Sequence, residues 1–143
     1  MPASPPAFVA VDWNGTVVPF FGLDPYPDAL ATLGRLRASG VPLVVVSRAH
    51  PRTIRDEVAR LALDADEVHG VLDKAPVLAD LAAARGRGVF VGDTASDQAA
   101  ARAADVPFVQ ARLEGGPAFG DAPDFLRWAD FETALLAALA AVG

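Results

Sequence analysis

Two hydrophobic runs in this chain stop at an aspartate, Asp12 in FVAVDWNGTVV and Asp93 in GVFVGDTASDQ. Short apolar runs rich in β-branched and aromatic residues, ending at Asp and then at Gly, Thr or Ser, read as buried parallel strands. Their carboxyl ends open into a crevice, which is where open α/β sheets bind ligands. Two carboxylates delivered to that crevice form a candidate site for a hard cation.

The rest of the chain repeats the alternation. Phe8 to Val11 reads as the first strand, and the polar break Asp12 to Thr16 leads into residues 17–27. Pro19, Gly22, Pro25 and Pro27 there forbid a long regular element and predict a compact hairpin or flap. Leu30, Leu33 and Leu36 then recur at helical spacing up to Gly40, and VPLVVV forms a second strand finishing at Ser47. Pro51 suits the first turn of a helix carrying Ile54, Val58 and Leu61. VHGVL reads as a weaker strand, DKAPVLADLAAARG as a helix ending near Gly86 or Gly88, GVFV as the fourth strand, SDQAAARAAD as a helix and VPFVQ as the fifth strand. The expected fold is a three-layer α/β/α sandwich, Rossmann-like, with a mainly parallel sheet of about five strands. Beyond Gln110, ARLEGGPAFGDAPD predicts a loop over one sheet edge. The tail FLRWADFETALLAALAAV predicts a helix apolar on more than one face, which either contacts a second copy of the chain or reflects the tolerance of helices for Ala.

With 143 residues and 52% hydrophobic content the chain can bury the core of one domain, expected over 1–143 with an irregular lead at 1–6, where three prolines fall in six residues. The absence of Cys excludes disulfides and thiolate metal sites. A formal charge of -6 is the wrong sign for an extended nucleic-acid footprint. MPASPPAF holds no basic stretch followed by an apolar run, and Arg, Asp, Pro or Gly interrupts every long apolar region. The expectation is a soluble protein of the cytoplasm with no membrane partner.

Four motifs in this order resemble the haloacid dehalogenase superfamily of phosphohydrolases over almost the whole chain. An apolar strand followed by Asp-x-Asp-x-Thr corresponds to Asp12, Trp13, Asn14, Gly15 and Thr16; a strand ending in Ser corresponds to Ser47; a Lys near a helix start corresponds to Lys74; and Gly-Asp with a further Asp four residues on corresponds to Gly92, Asp93 and Asp97. The resemblance implies that Asp12 attacks phosphorus to give an aspartyl-phosphate. It implies Mg²⁺ shared by Asp12, the main-chain carbonyl of Asn14 and Asp93, with Asp97 a direct or water-mediated ligand or an orienter of Lys74. Ser47 and Lys74 would meet the phosphoryl group, and Thr16 and the amides around Trp13 and Asn14 would shape its cradle. By residue type alone Asp97 equally reads as a first-turn acid of its helix, Ser47 as a turn cap and Lys74 as an exposed helix residue. Arg48 and His50 face substrate or solvate a loop, and His69 is structural or exposed.

Asn14 departs from the family pattern. Most phosphatases of this kind carry Asp there, which protonates the leaving oxygen and later deprotonates the attacking water, and an amide cannot exchange a proton in this way. The expected activity is therefore slow or restricted to good leaving groups; the alternative is a degenerate domain that binds phosphate or a protein. A receiver-like phosphoacceptor fits less well, because Asp-x-x-Gly-Thr is followed by a flap. Only thirty-four residues separate Asp12 from Ser47, and a helix and a strand fill the stretch from Ser47 to Lys74, so no cap domain is expected. A capless site suits a phosphorylated small molecule or a phosphorylated macromolecule. Phe20, Phe21, Leu23 and Tyr26 of the flap either contact a partner, such as the second copy in a homodimer, or pack on the first helix.

Overall fold

The structure, a computed structural model, describes residues 5–141, so the first four residues of the expected irregular lead lie outside it. Six strands, β1 (Val9–Val11), β2 (Leu43–Ser47), β3 (Glu67–Gly70), β4 (Val89–Gly92), β5 (Phe108–Ala111) and β6 (Asp124–Phe125), form one sheet in the order β3-β2-β1-β4-β5-β6. Every pairing is parallel, with Val11 level with Val45 on one side and Val91 on the other. Five helices connect or follow the strands: α1 (Ala29–Ala38), α2 (Pro51–Arg60), α3 (Ala75–Arg85), α4 (Ala95–Ala104) and α5 (Phe131–Ala140).

Because both faces are covered, the strands read as continuous apolar runs, and their alternation decides which layer each side chain enters. Val9, Val11, Leu43, Val45, Val89 and Val91 pack with Ala29 and Leu33 of α1, Ile54 and Val58 of α2, and the buried face of α5. The intervening residues Ala10, Val44, Val46, Phe90 and Phe108 pack with Leu78 and Leu81 of α3 and Ala101 of α4. The result is the expected α/β/α sandwich. Among the described residues, no cap domain interrupts it and no helix is long and apolar enough to cross a membrane.

The sheet gains a sixth strand where a loop and the start of a long helix were expected. Asp124 and Phe125 pair with Gln110 and Ala111, a single 3₁₀ turn follows at Trp128–Asp130, and the helix proper begins only at Phe131. Phe125, Trp128 and Phe131 are spaced as on a helix, but their rings converge from three different local conformations, with centroids 4.8 to 5.3 Å apart. In α5, Phe131, Ala134, Leu135, Ala138 and Leu139 are buried, so one face is occupied and Leu136 is the large apolar residue left exposed.

After β1 the chain moves outward through β2 and β3, then crosses back to place β4 on the other side of β1. A topological switch point therefore lies between β1 and β4, and Asp12 and Asp93 follow the carboxyl ends of these two strands.

Candidate active site

The turn after β1 is held by its own backbone. The Trp13 carbonyl accepts from the amides of Thr16, Val17 and Val18, and the Gly15 amide donates 2.7 Å to the Val18 carbonyl. Gly15 has a φ of 80°, and a Cβ there would collide with the Asp93 carboxylate. Glycine is thus required twice, by conformation and by the close approach of the second acid. Asp12 is anchored through its amide, which donates 2.9 Å to the Val91 carbonyl of β4.

Lys74 immediately precedes α3 and runs inward, 6% exposed, to donate 2.8 Å to Asp12 Oδ1 and 2.7 Å to Asp97 Oδ1. Its ammonium also lies 5.5 Å from the Phe90 ring centroid. Asp97 Oδ2 accepts the Asp93 and Thr94 amides at 3.3 and 3.4 Å, while the Thr94 hydroxyl accepts the Asp97 amide, a capping box at the start of α4. One aspartate therefore both starts its helix and aims the lysine.

Oxygens of Asp12, Asp93 and Asp97 lie within 4.8 Å of one another. Burial, reinforced by Asp97, lifts the Asp12 carboxyl well above its ordinary range against the pull of Lys74, and burial likewise lifts Asp93. Burial opposes the charge of Lys74, but Asp12 and Asp97 outweigh it and hold that group above its usual value. Three carboxylates facing one ammonium leave surplus negative charge in a secluded place, and among the described residues no backbone hydrogen bond of the turn ends on the Asn14 carbonyl. This all-oxygen donor set fits a hard divalent cation.

The cleft above these groups, about 440 Å³, is lined by Asp12, Asn14, Phe21, Ser47, Arg48, Ala49, Lys74, Asp93, Thr94, Ser96 and Asp97. Ser47 closes β2 and is 4% exposed; its Oγ accepts the Ala49 amide at 3.1 Å and retains its proton for a ligand. The Asn14 Oδ1 is buried with no protein partner, an acceptor left for something entering the cleft. Arg48 is exposed at the mouth.

Other expected residues lie elsewhere. Thr16 is fully buried behind Asp93, with its hydroxyl 3.4 Å from Asp93 Oδ1, and the Trp13 side chain points into the core. His50 caps α2, its Nδ1 accepting the Arg52 amide, and His69 pairs with Glu67 on β3. Sequence reasoning passed over Glu57, which reaches the Trp13 indole nitrogen at 3.1 Å. Its signal was an acid within the apolar stripe Ile54, Glu57, Val58, Leu61, with Arg60 three residues on.

A model of the haloacid dehalogenase-like hydrolase family matches residues 7–105, more than half of the chain, and the protein belongs to that family. No curated protein matches the chain significantly. Among solved structures it is similar to a haloacid dehalogenase-superfamily hydrolase from Ehrlichia chaffeensis, with a TM-score of 0.72 at 15% identity over 96% of this chain and 100% of that one. It is also similar to the D,D-heptose 1.7-bisphosphate phosphatase from B. bronchiseptica, complexed with magnesium and phosphate: TM-score 0.68, 16% identity, 91% of this chain and 98% of that one. A putative phosphoglycolate phosphatase from Lactobacillus delbrueckii subsp. bulgaricus gives a TM-score of 0.63 at 20% identity over 78% of this chain, which spans 53% of that longer one. At these identities the likeness is one of fold.

Proposed function

We propose that this family member is a magnesium-dependent phosphomonoester hydrolase in which Asp12 is the nucleophile and Asn14 restricts turnover. The observation that carries the reading is the buried Lys74 shared by Asp12 and Asp97 at the floor of a cleft also lined by Ser47, Asp93 and Asn14. Asp12, Asp93 and the Asn14 main-chain carbonyl would hold Mg²⁺, with Asp97 direct, through water, or confined to orienting Lys74. Its engaged oxygens favour the last role. Bound there, the ion would neutralise phosphate charge. The magnesium and phosphate in the heptose bisphosphate phosphatase support this ligand pair.

An Asp12 carboxylate oxygen attacks phosphorus, the bond to the leaving oxygen breaks, and an aspartyl-phosphate results. Ser47 donates its hydroxyl proton to a phosphoryl oxygen, Lys74 offsets charge beside the nucleophile, and the amides at Trp13 and Asn14 with Arg48 complete the phosphate contacts. Thr16 acts from behind by fixing Asp93. Asn14 donates or accepts a hydrogen bond at the leaving oxygen and at the attacking water, but moves no proton at either. Water must then cleave the intermediate unaided, a deficit of about 10²- to 10⁴-fold. In the first step, where the leaving oxygen goes unprotonated, substrates with good leaving groups such as acyl or aryl phosphates suffer least. The uncapped cleft admits a phosphorylated small molecule or an exposed phosphate on a macromolecule.

Asn14 also favours a second reading, a binding module that retains phosphate without turnover. Stopped flow with Mg²⁺ and an aryl phosphate, following product beside acid-stable protein-bound phosphate, separates the two. A burst near one equivalent followed by slow turnover, relieved in Asn14→Asp, is the expected result. No burst in either form, with a second phosphoryl donor also inert, would leave the binding module.

A further inference from the structure

Glu57 is a buried acid outside the catalytic cluster, yet it joins α2 to two parts of the molecule that line the cleft, the flap and the turn after β1. It sits on the inner face of α2, 8% exposed, beside Ile54 and Val58. Arg60 grips it bidentately, Nε to Oε2 at 2.8 Å and Nη2 to Oε1 at 2.9 Å, the same Nη2 donating 3.0 Å to the Leu23 carbonyl. The Gly22 amide lies 3.2 Å from both carboxylate oxygens, and the Trp13 indole donates to Oε1. One carboxylate therefore ties α2 to the flap and to the turn that carries Asp12 and Asn14.

A buried carboxylate costs stability unless donors surround it, and satisfying one indole N–H requires only a neutral acceptor. The ion pair serves the flap instead. Residues 19 to 24 are exposed except for half-buried Phe21, and Phe20 and Leu23 are 60% and 52% exposed, so apolar packing holds this segment weakly. The bonds at Gly22 and Leu23 anchor the two residues directly after Phe21, whose ring forms one wall of the cleft.

We propose that Glu57, with Arg60, is a positioning residue that latches the flap so that Phe21 shapes the leaving-group side of the cleft. Its kinetic part rests on the hydrolase reading above, whereas its structural part does not.

The test uses the full chain and the variants Arg60→Ala, Glu57→Gln and Phe21→Ala. Arg60 is exposed, so Arg60→Ala removes no core side chain and stays interpretable if Glu57→Gln fails to fold. Amide exchange by NMR should show Gly22 losing about 10-fold or more of its protection in Arg60→Ala, with Val45 and Val91 unchanged. With an aryl phosphate and Mg²⁺, KM should rise about 3- to 10-fold in Arg60→Ala while kcat holds. Adding Phe21→Ala to that background should cost much less than it does alone, because both act through one wall. Unaltered Gly22 protection, or fully additive effects of Arg60 and Phe21, would overturn the latch. If the parent chain shows neither turnover nor phosphoenzyme, the hydrolase reading fails and the exchange result alone decides the latch.

Discussion

At the scale of single residues, Asn14 separates the architecture of the site from its rate. Its side-chain oxygen is buried without a partner, and its neighbour Gly15 can be nothing larger without striking Asp93. Replacing Asn14 with Asp therefore introduces a proton carrier into a turn whose backbone is already set. The rate of phosphoenzyme formation from an alkyl phosphate should rise by about 10²- to 10⁴-fold, with a smaller gain for an aryl phosphate whose leaving group needs no proton. Equal gains in that first step would show that Asn14 does not limit proton transfer to the leaving oxygen. Intact mass belongs beside the assay, because deamidation of the Asn14-Gly15 pair would itself produce an acid at position 14. Asp12→Asn should abolish protein-bound phosphate altogether, and the same yield in that variant would remove Asp12 as nucleophile. These positions were legible in the sequence because each lies at an abrupt change from apolar run to polar turn. Glu57 was harder to see, since its partners Trp13 and Gly22 are 44 and 35 residues away.

At the scale of elements, the regions that differed from expectation lie beyond β5. A two-residue strand cannot display a period of two, so β6 was hidden in a Gly- and Pro-rich stretch. Phe125, Trp128 and Phe131 imitated helical spacing because each third residue happens to face the same core. The central strands and α1 to α4 were readable, since each combines an uninterrupted apolar run or stripe with a Gly or Pro boundary. The C-terminal segment lies outside residues 7–105, yet it reaches the active-site turn: the Trp128 indole donates 2.9 Å to the Thr16 carbonyl. Trp128→Phe keeps most of the packing and leaves that carbonyl unpaired, a cost of about 1–3 kcal/mol. Trp128→Ala adds a cavity among Phe125 and Phe131 and should cost about 3–5 kcal/mol. Urea unfolding of the two variants measures the difference, and equal losses would mean that the indole N–H, not the ring, dominates.

At the scale of the whole molecule, burial of opposed charge makes stability depend on pH in two windows of opposite sign. Burial raises Asp12 and Asp93, so the folded protein binds these protons more tightly than the unfolded chain. Stability of the metal-free protein should therefore decrease as pH rises through that range. Glu57 behaves in the reverse sense: Arg60, followed by Trp13 and Gly22, lowers it from 4.5 to about 2 against the effect of burial. Its contribution is complete above the unfolded value and is lost as pH falls from 4.5 towards 2. Thermal melts of metal-free protein should therefore improve as pH falls towards the ordinary carboxylate range and deteriorate as it falls on from 4.5 towards 2. Glu57→Gln should be less stable than the parent chain at neutral pH, and this gap should close in acid. Millimolar Mg²⁺ should raise the melting temperature at neutral pH and flatten the upper slope, because a ligand that binds only the folded state stabilises it and, here, holds the acids ionised. Asp12→Asn should flatten the same slope without metal. A metal-free profile that is level from neutral pH down to the ordinary carboxylate range, and indifferent to Mg²⁺, would mean that the three carboxylates are already balanced by Lys74 and that the cluster is not a cation site.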